Sequence, residues 1–204
     1  MLFDDTYNTI ASNAEGIFQE RGSKFIAYAY PLISEEQVKI FVNTLRIEHP
    51  KARHFCWALR LSKDRSNFRF QDDGEPSGTA GRPILNSLLS ANLTNILIIV
   101  VRYFGGTLLG VPGLINAYKS ASLDVISAAQ VIEKTLNDVY EVTFLYLGIN
   151  DVMRIIKDEQ LEILSQNFDN ECCMQLSIRK SSLNTVLGRL ETIEQLNLKY
   201  LHTA

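Results

Sequence analysis

Two glycine-rich segments carry the residues whose types and spacing could support chemistry. They cover residues 72–83 and 102–113, and they contain seven of the eleven glycines in the chain. Glycine permits positive φ angles and close approach of the backbone to a ligand. Each segment leads into a helical pattern, so free N–H groups at a helix N-terminus could bind an anion there. The sequence therefore predicts an anion-binding surface or, as the structural alternative, two tight turns.

The second segment has the outer spacing of a phosphate-binding loop. Gly105 and Gly110 match the glycines of G-x-x-x-x-G-K-[ST], but Val111 and Pro112 follow where that motif needs Lys and Ser or Thr. Hydrolysis of a nucleotide is therefore not expected. A backbone nest for a phosphate group, with Arg102 just ahead of it, is one interpretation, and a tight strand-to-helix connection is the other. The anion-binding residues predicted in this region are Arg102, Gly105, Gly106, Gly110 and Lys119.

The first segment contains three carboxylates that could bind a hard cation or act as acid and base. Asp72, Asp73 and Glu75 are close neighbours in the chain, and such clusters hold Ca²⁺ or Mg²⁺ or transfer protons. The sequence has no second acidic cluster at ligand spacing, and Asp-Gly and Glu-Pro pairs are common in turns. A polar turn is therefore the favoured interpretation, and neither a metal nor a cofactor is predicted.

A histidine and a cysteine two positions apart could form a nucleophilic pair. On a strand, His54 and Cys56 share one face, and a neighbouring base can activate a thiol. The basic residues around them would favour the thiolate. Free cysteine is nevertheless usually a buried packing residue, so packing is the favoured interpretation and no catalytic residue is predicted.

The stretch from Lys51 to Arg69 is strongly basic within an acidic chain. It contains six Lys and Arg residues against one Asp, whereas the net charge of the whole chain is −3. A local basic patch favours a docked anionic partner over non-specific coating of nucleic acid, and a solvated hairpin flank is the alternative. Arg82, in the first glycine-rich segment, would extend this surface. The hairpin residues predicted to make contact are Arg53, Arg60, Lys63 and Arg65.

Composition excludes several classes of protein. A chain of 204 residues with 46% hydrophobic residues can bury a sizeable core, which argues against gross disorder. No apolar run approaches the ~20 residues of a membrane span, and no signal-peptide pattern is present. The three cysteines form no CxxC motif, which is typical of a reducing compartment. We therefore expect a cytoplasmic protein that does not bind membranes.

Strand and helix patterns alternate around the candidate residues. Strand patterns cover residues 24–32, 53–61 and 67–71. A near-continuous apolar run over residues 95–102 predicts a central strand that is buried on both faces. Helical patterns follow Ser34 and each of the two glycine-rich segments.

A second α+β domain is predicted after a boundary at residues 131–135. Strand, helix, strand, strand, helix and strand patterns follow in that order, which is the ferredoxin-like β-α-β-β-α-β arrangement. The remaining ~70 residues are enough for a domain of this kind. We therefore predict two domains, residues 1–130 and residues 135–204, both of the α+β class.

Both glycine-rich segments also resemble the sequence signatures of the IMPACT/YigZ family. The similarity lies in residues 73–83 (D-G-E-P-S-G-T-A-G-R-P) and 101–110 (V-R-Y-F-G-G-T-L-L-G), and it extends through residues 113–118. It covers roughly residues 15–130. The motif residues of the first segment are Asp73, Gly74, Glu75, Pro76, Gly78 and Gly81.

The resemblance implies a fold and a cellular setting. By this resemblance, the first domain of the chain would have the βαβ type of ribosomal proteins and of the fourth domain of elongation factor G. Bacterial members of the family append the ferredoxin-like domain. Eukaryotic relatives act in translational control by contacting the activator of a stress kinase on ribosomes, but the region that binds this partner is absent here. Leu108, Pro112 and Asn116 stand where Lys, Gly and Arg are usual, so two positive charges of the second segment are missing.

We therefore expect a translation-related regulatory protein that binds RNA or a ribosomal surface without catalysis, with a translation-associated protein as a further candidate partner. Its basic residues would position a nucleic-acid backbone and not read bases, because no aromatic stacking pattern accompanies them. One alternative is a small metal- or Cys/His-dependent hydrolase in the same groove. Another is a protein adaptor that uses the C-terminal sheet. The hydrolase would use Asp72, Asp73, Glu75, His54 and Cys56.

Overall fold

The computed structural model describes residues 5–61, 66–169 and 171–203. These residues form two compact units, one of residues 7–134 and one of residues 135–203 together with residues 5–6. Both units combine helices with antiparallel sheets, so the predicted α+β class is confirmed. Within these described ranges, no helix is long and apolar enough to cross a membrane.

The first unit is built around a five-stranded antiparallel sheet. The strands of this unit, in both of its sheets, are β1 (Thr6–Ile10), β2 (Ala14–Glu20), β3 (Ser23–Pro31), β4 (His54–Leu61), β5 (Asn67–Gln71), β6 (Ile96–Tyr103) and β7 (Val131–Thr135). Its helices are α1 (Gln37–Glu48), α2 (Gly81–Ser90) and α3 (Gly110–Ala128). The large sheet has the strand order β2-β3-β6-β4-β5, and β1 pairs with β7 in a separate two-stranded sheet.

Strand β6 lies at the centre of the large sheet and is buried on both faces. Alternate side chains of a strand point to opposite faces, and here the two sets enter two different cores. Ile96, Ile98 and Val100 pack with α2 and α3, whereas Leu97, Ile99 and Val101 pack with α1. The prediction of a central, doubly covered strand is therefore confirmed. Burial on both faces produces the continuous apolar run, although the neighbouring strands are antiparallel.

Strands β1, β2 and β7 have no clear pattern in the sequence and were not predicted. Strand β2 is an edge strand in which only Gly16 is buried, so its sequence lacks a strong apolar alternation. Helix α3 lies so close that a Cβ atom at Gly16 would be 2.5 Å from the Val125 nitrogen. Residues 131–135, predicted to connect two domains, instead form β7, which is mostly exposed and carries little apolar pattern.

The second unit is a four-stranded antiparallel sheet with two helices packed on it. The strands are β8 (Asn137–Leu145), β9 (Glu162–Phe168), β10 (Glu171–Arg179) and β11 (Asn197–Thr203), and the helices are α4 (Ile149–Asp158) and α5 (Leu183–Leu190). The strand order is β11-β8-β10-β9. Side chains such as Phe144, Met174 and Val152 form its core. The predicted order of strands and helices is present, while Asn170 of the predicted turn lies outside the described residues.

The second unit also includes a residue from the start of the chain. The Asp5 carboxylate accepts hydrogen bonds from Arg179 Nε at 2.8 Å and from the Ser181 N–H at 3.0 Å. These hydrogen bonds hold the pKa of Asp5 well below its usual range. The Asp5 carbonyl accepts a bond from the Leu136 N–H at 2.6 Å. A fragment that begins at residue 135 therefore lacks part of this unit.

We expect residues 1–134 to unfold cooperatively without the second unit, because both apolar cores of the first unit are made of its own residues. Trp57, the only tryptophan of the chain, reports on this unit. Its fluorescence in urea should give a free energy of unfolding within about 1 kcal/mol of that of the full chain. A fragment without a cooperative transition would contradict the separation into two folding units. The shorter fragment 1–130, which lacks β7, should be less stable and serves as the comparison.

Candidate functional site

The N–H groups at the start of α2 are occupied by a carboxylate of the protein itself. Asp72 accepts hydrogen bonds from the N–H groups of Gly78 at 2.8 Å, Ala80 at 3.1 Å and Gly81 at 2.8 Å. An anion is favourable at this position because free N–H groups and the helix dipole converge there. The first glycine-rich segment therefore satisfies its own anion-binding groups. The interpretation of this segment as a structural turn is the one that the geometry supports.

Asp73 likewise binds partners within the protein. Its carboxylate accepts a hydrogen bond from the Phe55 N–H at 2.7 Å and two from the Arg46 guanidinium at 2.8 and 3.0 Å. His54 Nδ1 lies 3.0 Å from the Asp73 carbonyl oxygen. No group of three His, Cys, Asp or Glu side chains suited to a metal ion occurs among the described residues.

A buried ion pair joins the two glycine-rich segments. Arg102 Nη1 donates to Glu75 Oε1 at 2.6 Å, and the two side chains are only 6% and 4% exposed. The Tyr118 hydroxyl, from α3, donates to the same oxygen at 2.8 Å. The prediction that Arg102 contacts an external anion is therefore wrong for this conformation, because its charge is buried and already neutralised by Glu75.

Two aromatic rings lie close to the buried guanidinium. The Arg102 Cζ atom lies 5.4 Å from the centroid of the Phe25 ring and 5.6 Å from that of the Phe104 ring. The Nε atom of Arg102 is buried and has no hydrogen-bond partner among the described residues. Cation–π attraction to the two rings compensates in part for the missing hydrogen bond of this atom.

Cys56 is not arranged as a nucleophile. Its Sγ atom lies 2.9 Å from the Asp72 carbonyl oxygen and 3.3 Å from the Tyr118 hydroxyl, and the side chain is fully buried. Burial raises the pKa of the Cys56 thiol, and the Glu75, Asp73 and Asp72 charges raise it further. Burial also raises the pKa of the Tyr118 hydroxyl. Because His54 contacts Asp73 and not the thiol, the candidate Cys–His pair is not formed.

The glycines of the second segment allow close packing and an unusual backbone conformation. A Cβ atom at Gly105 would lie 1.9 Å from the Gly22 carbonyl carbon, so the loop packs directly on the β2–β3 turn. The Gly105 N–H donates to Ser23 Oγ at 3.1 Å. Gly106 and Gly110 have φ angles of +86° and +70°, which other residues rarely adopt. The tight strand-to-helix connection therefore accounts for Gly105 in full.

Two predicted cations lie on one open groove between α2 and α3. The groove has a volume of about 500 Å³, and none of the residues lining it is acidic. Arg82 and Lys119 are both exposed, and neither forms an ion pair within the described parts of the chain. The lining residues are Gly78, Arg82, Pro83, Asn86, Ser87, Ser90, Ile115, Lys119 and Leu123. We call this surface the α2–α3 groove.

The basic hairpin contributes less to this surface than predicted. Arg53 is exposed. Arg60 is only 8% exposed and donates to the Leu93 carbonyl at 3.2 Å, so the prediction that it contacts a partner is wrong for this conformation. Arg69 is paired with Glu35. Two further predicted contact residues, Lys63 and Arg65, lie outside the described residues.

Comparison with known proteins identifies the family. Residues 21–126, about half of the chain, match the Impact N-terminal domain. An IMPACT family member of Haemophilus influenzae is 35% identical, with 85% of this chain and 86% of that protein covered. YigZ of Escherichia coli is 29% identical, with 88% and 89% covered. The chain therefore belongs to the IMPACT family, as its two segments predicted.

A solved structure shows the same fold over nearly the whole chain. The crystal structure of a hypothetical protein aligns with a TM-score of 0.72 and 26% identity, and it covers 97% of this chain and 98% of its own.

We expect Glu75→Ala to lower the free energy of unfolding by about 3–5 kcal/mol, because it leaves the Arg102 charge buried without a counter-charge. Urea unfolding followed by Trp57 fluorescence measures this value. Glu35→Ala is the matched control, since it breaks the exposed pair with Arg69 in the same unit and should cost less than about 1 kcal/mol. Equal costs for the two variants would show that the buried pair is unimportant.

We expect Cys56 to resist alkylation in the folded protein at pH 7.5, because its thiol is buried and its pKa is raised. Iodoacetamide labelling followed by peptide mass spectrometry measures each cysteine separately. Cys173 is partly exposed and serves as the internal reference that labels first. Labelling of Cys56 before urea unfolds the protein, at the rate of an exposed thiol, would restore the nucleophile hypothesis.

Proposed function

We propose that this protein is a translation-related regulator that binds RNA, free or within the ribosome, without catalysis, and that the α2–α3 groove is its contact surface. The observation that carries the proposal is that two cations, Arg82 and Lys119, share one groove and have no ion-pair partner in the described parts of the chain. The described residues that line this groove include no acidic residue. Phosphate groups are the ligands that such cations neutralise most readily.

The geometry of the two cations fits a sugar–phosphate backbone. Arg82 lies in the first turn of α2 and Lys119 in the middle of α3, so the two charges line opposite sides of the groove. A guanidinium binds phosphate oxygens through paired N–H groups, whereas an ammonium acts as a point charge. One strand running along the groove could therefore contact both.

The translational setting of the proposal rests on the family. The resemblance to eukaryotic relatives that act in translational control supports a regulatory role, and the proposal assigns this chain a cytoplasmic location. The hydrolase alternative has no supporting geometry, because Asp72, Asp73, Glu75 and Cys56 are occupied by contacts within the protein.

We also propose a specific fold for each of the two domains. The β-α-β-β-α-β order and the strand order β11-β8-β10-β9 support a ferredoxin-like second domain. The resemblance to the family supports a relation of the first domain to ribosomal proteins and to the fourth domain of elongation factor G. The two compact units support two domains that the chain joins near residues 131–135.

We expect the double variant Arg82→Ala, Lys119→Ala to weaken the salt dependence of RNA binding. Each phosphate neutralised on a single strand contributes roughly 0.7 to the slope of log affinity against log salt. Loss of both contacts should therefore reduce the slope by about 1.4 units. Fluorescence anisotropy with a labelled single-stranded RNA at four or more salt concentrations measures the slope.

The matched control is Lys39→Ala, Lys157→Ala, which removes two exposed positive charges outside the groove. It should leave the slope unchanged. Equal slopes for wild type and the groove variant would remove the α2–α3 groove as the contact surface. No RNA affinity at low salt for the wild type would overturn the proposed function.

A further inference from the structure

The edge strand β5 presents two exposed aromatic rings. Phe68 is 50% exposed and Phe70 is 37% exposed. The two residues are separated by one position, so their side chains point to the same face of the sheet at a spacing of about 7 Å. Strand β5 is the last strand of the sheet order on its side. No other strand among the described residues covers this edge.

The strand register places both rings on the side of the sheet that carries α2 and α3. Phe70 lies opposite Ala58, and Phe68 lies opposite Arg60. Directly paired residues of an antiparallel sheet project to the same face. Ala58 is buried in the core formed with α2 and α3. The two rings are therefore on the same face of the sheet as the α2–α3 groove.

The Phe70 ring adjoins the α2–α3 groove. The Arg82 guanidinium lies 6.0 Å from the centroid of the Phe70 ring. A second pocket, of about 410 Å³, is lined by Phe70, Ser77, Gly78 and Arg82, and it shares Gly78 and Arg82 with the α2–α3 groove. Phe70 thus adjoins Arg82, and Arg82 shares the α2–α3 groove with Lys119. Neither cation has an ion-pair partner among the described residues.

This combination has a specific ligand chemistry. Proteins that bind single-stranded nucleic acid stack bases on aromatic side chains and neutralise phosphates with a neighbouring basic groove. A duplex hides the faces of its bases, so such a surface discriminates against double strands. Single exposed apolar residues are common on protein surfaces. Here, however, Phe68 and Phe70 lie on one face of the sheet, and Phe70 lies beside the Arg82 guanidinium.

We infer that Phe68 and Phe70 stack two bases of a single-stranded RNA whose phosphates lie along Arg82 and Lys119. The inference rests on the proposed function and narrows its ligand to RNA with unpaired bases. It also changes the expectation from sequence that the surface contacts the backbone alone. Binding remains tolerant of sequence, because every base presents a stackable face.

The test compares a labelled single-stranded RNA with a duplex of the same sequence by fluorescence anisotropy at one fixed low salt concentration. Phe68→Ala and Phe70→Ala should each weaken single-strand binding by about tenfold. The duplex should bind more weakly than the single strand, and its affinity should change little in either variant. In a separate series of salt concentrations, the salt slope of each variant should stay at the wild-type value, because no phosphate contact is removed.

Two further variants test whether the effect requires aromatic rings and whether it is specific to β5. Phe68→Tyr with Phe70→Tyr keeps two flat rings and should retain near wild-type affinity. Phe168→Ala removes an exposed ring of the second unit, 44% exposed, and should have no effect. Trp57 fluorescence in urea verifies that each variant in the first unit remains folded.

The outcomes separate this inference from the proposed function. Unchanged single-strand affinity in both Phe→Ala variants, with a reduced salt slope in Arg82→Ala, Lys119→Ala, would overturn the stacking surface and leave the proposed function standing. Equal losses for single strand and duplex would also overturn it. A wild-type dimer that Phe68→Ala dissociates, without loss of RNA affinity, would assign β5 to self-association and overturn it as well. No RNA binding at low salt would overturn both proposals.

Discussion

The burial of Arg102 is the constraint on which the structure of the candidate site depends. A guanidinium removed from water costs several kcal/mol unless a counter-charge and hydrogen bonds replace its hydration. Glu75 supplies the charge, the Tyr118 hydroxyl binds the same carboxylate oxygen, and two aromatic rings lie close to the guanidinium. The segment that carries Glu75 must therefore fold back onto β6 and α3. The ion pair thus fixes the two glycine-rich segments relative to the sheet.

The same constraint decides which charges remain available to a partner. Asp72 occupies the N–H groups at the start of α2, and Glu75 neutralises Arg102. The two features that made the segments look like anion sites are therefore satisfied inside the protein. Positive charge without an ion-pair partner among the described residues remains at Arg82 and Lys119, which line the groove between α2 and α3. The proposed function therefore uses the exposed cations of the α2–α3 groove and not the buried charges of the two glycine-rich segments.

The elements that could be predicted from the sequence are those whose own residues specify their burial. Strand β6 is apolar at every position from Ile96 to Val101, so both its type and its central place could be inferred. Strand β2 could not be recognised in the same way, because its place depends on the close approach of α3 to Gly16. Pairing with β1 likewise decides the conformation of residues 131–135, and no pattern within that pentapeptide specifies it.

The candidate site was only partly predictable for a related reason. Residue type identified Arg82 and Arg102 equally well, because both follow or precede glycines at a helix entry. Their different roles depend on tertiary contacts, since Glu75 reaches Arg102 and no acidic residue of the described chain pairs with Arg82. Arg60 was misjudged similarly, because its bond to the Leu93 carbonyl joins residues 33 positions apart. The aromatic pair escaped notice because Phe68 and Phe70 alone form no motif.

An exposed aromatic edge strand is a hazard that proteins usually avoid, because it can pair with another chain. Strand β5 is protected unequally on its two faces. On one face, Arg69 pairs with Glu35 and adds charge to the edge. On the other, Arg82 lies near the Phe70 ring and shields it in part. A phosphate that draws Arg82 away would expose this ring, whereas a base stacked on Phe70 would take the position of the guanidinium. Phosphate binding by Arg82 and base stacking on Phe70 should therefore reinforce each other. The contact between Arg82 and Phe70 would shield the edge strand in the free protein, and its replacement by phosphate and base would bind the single strand.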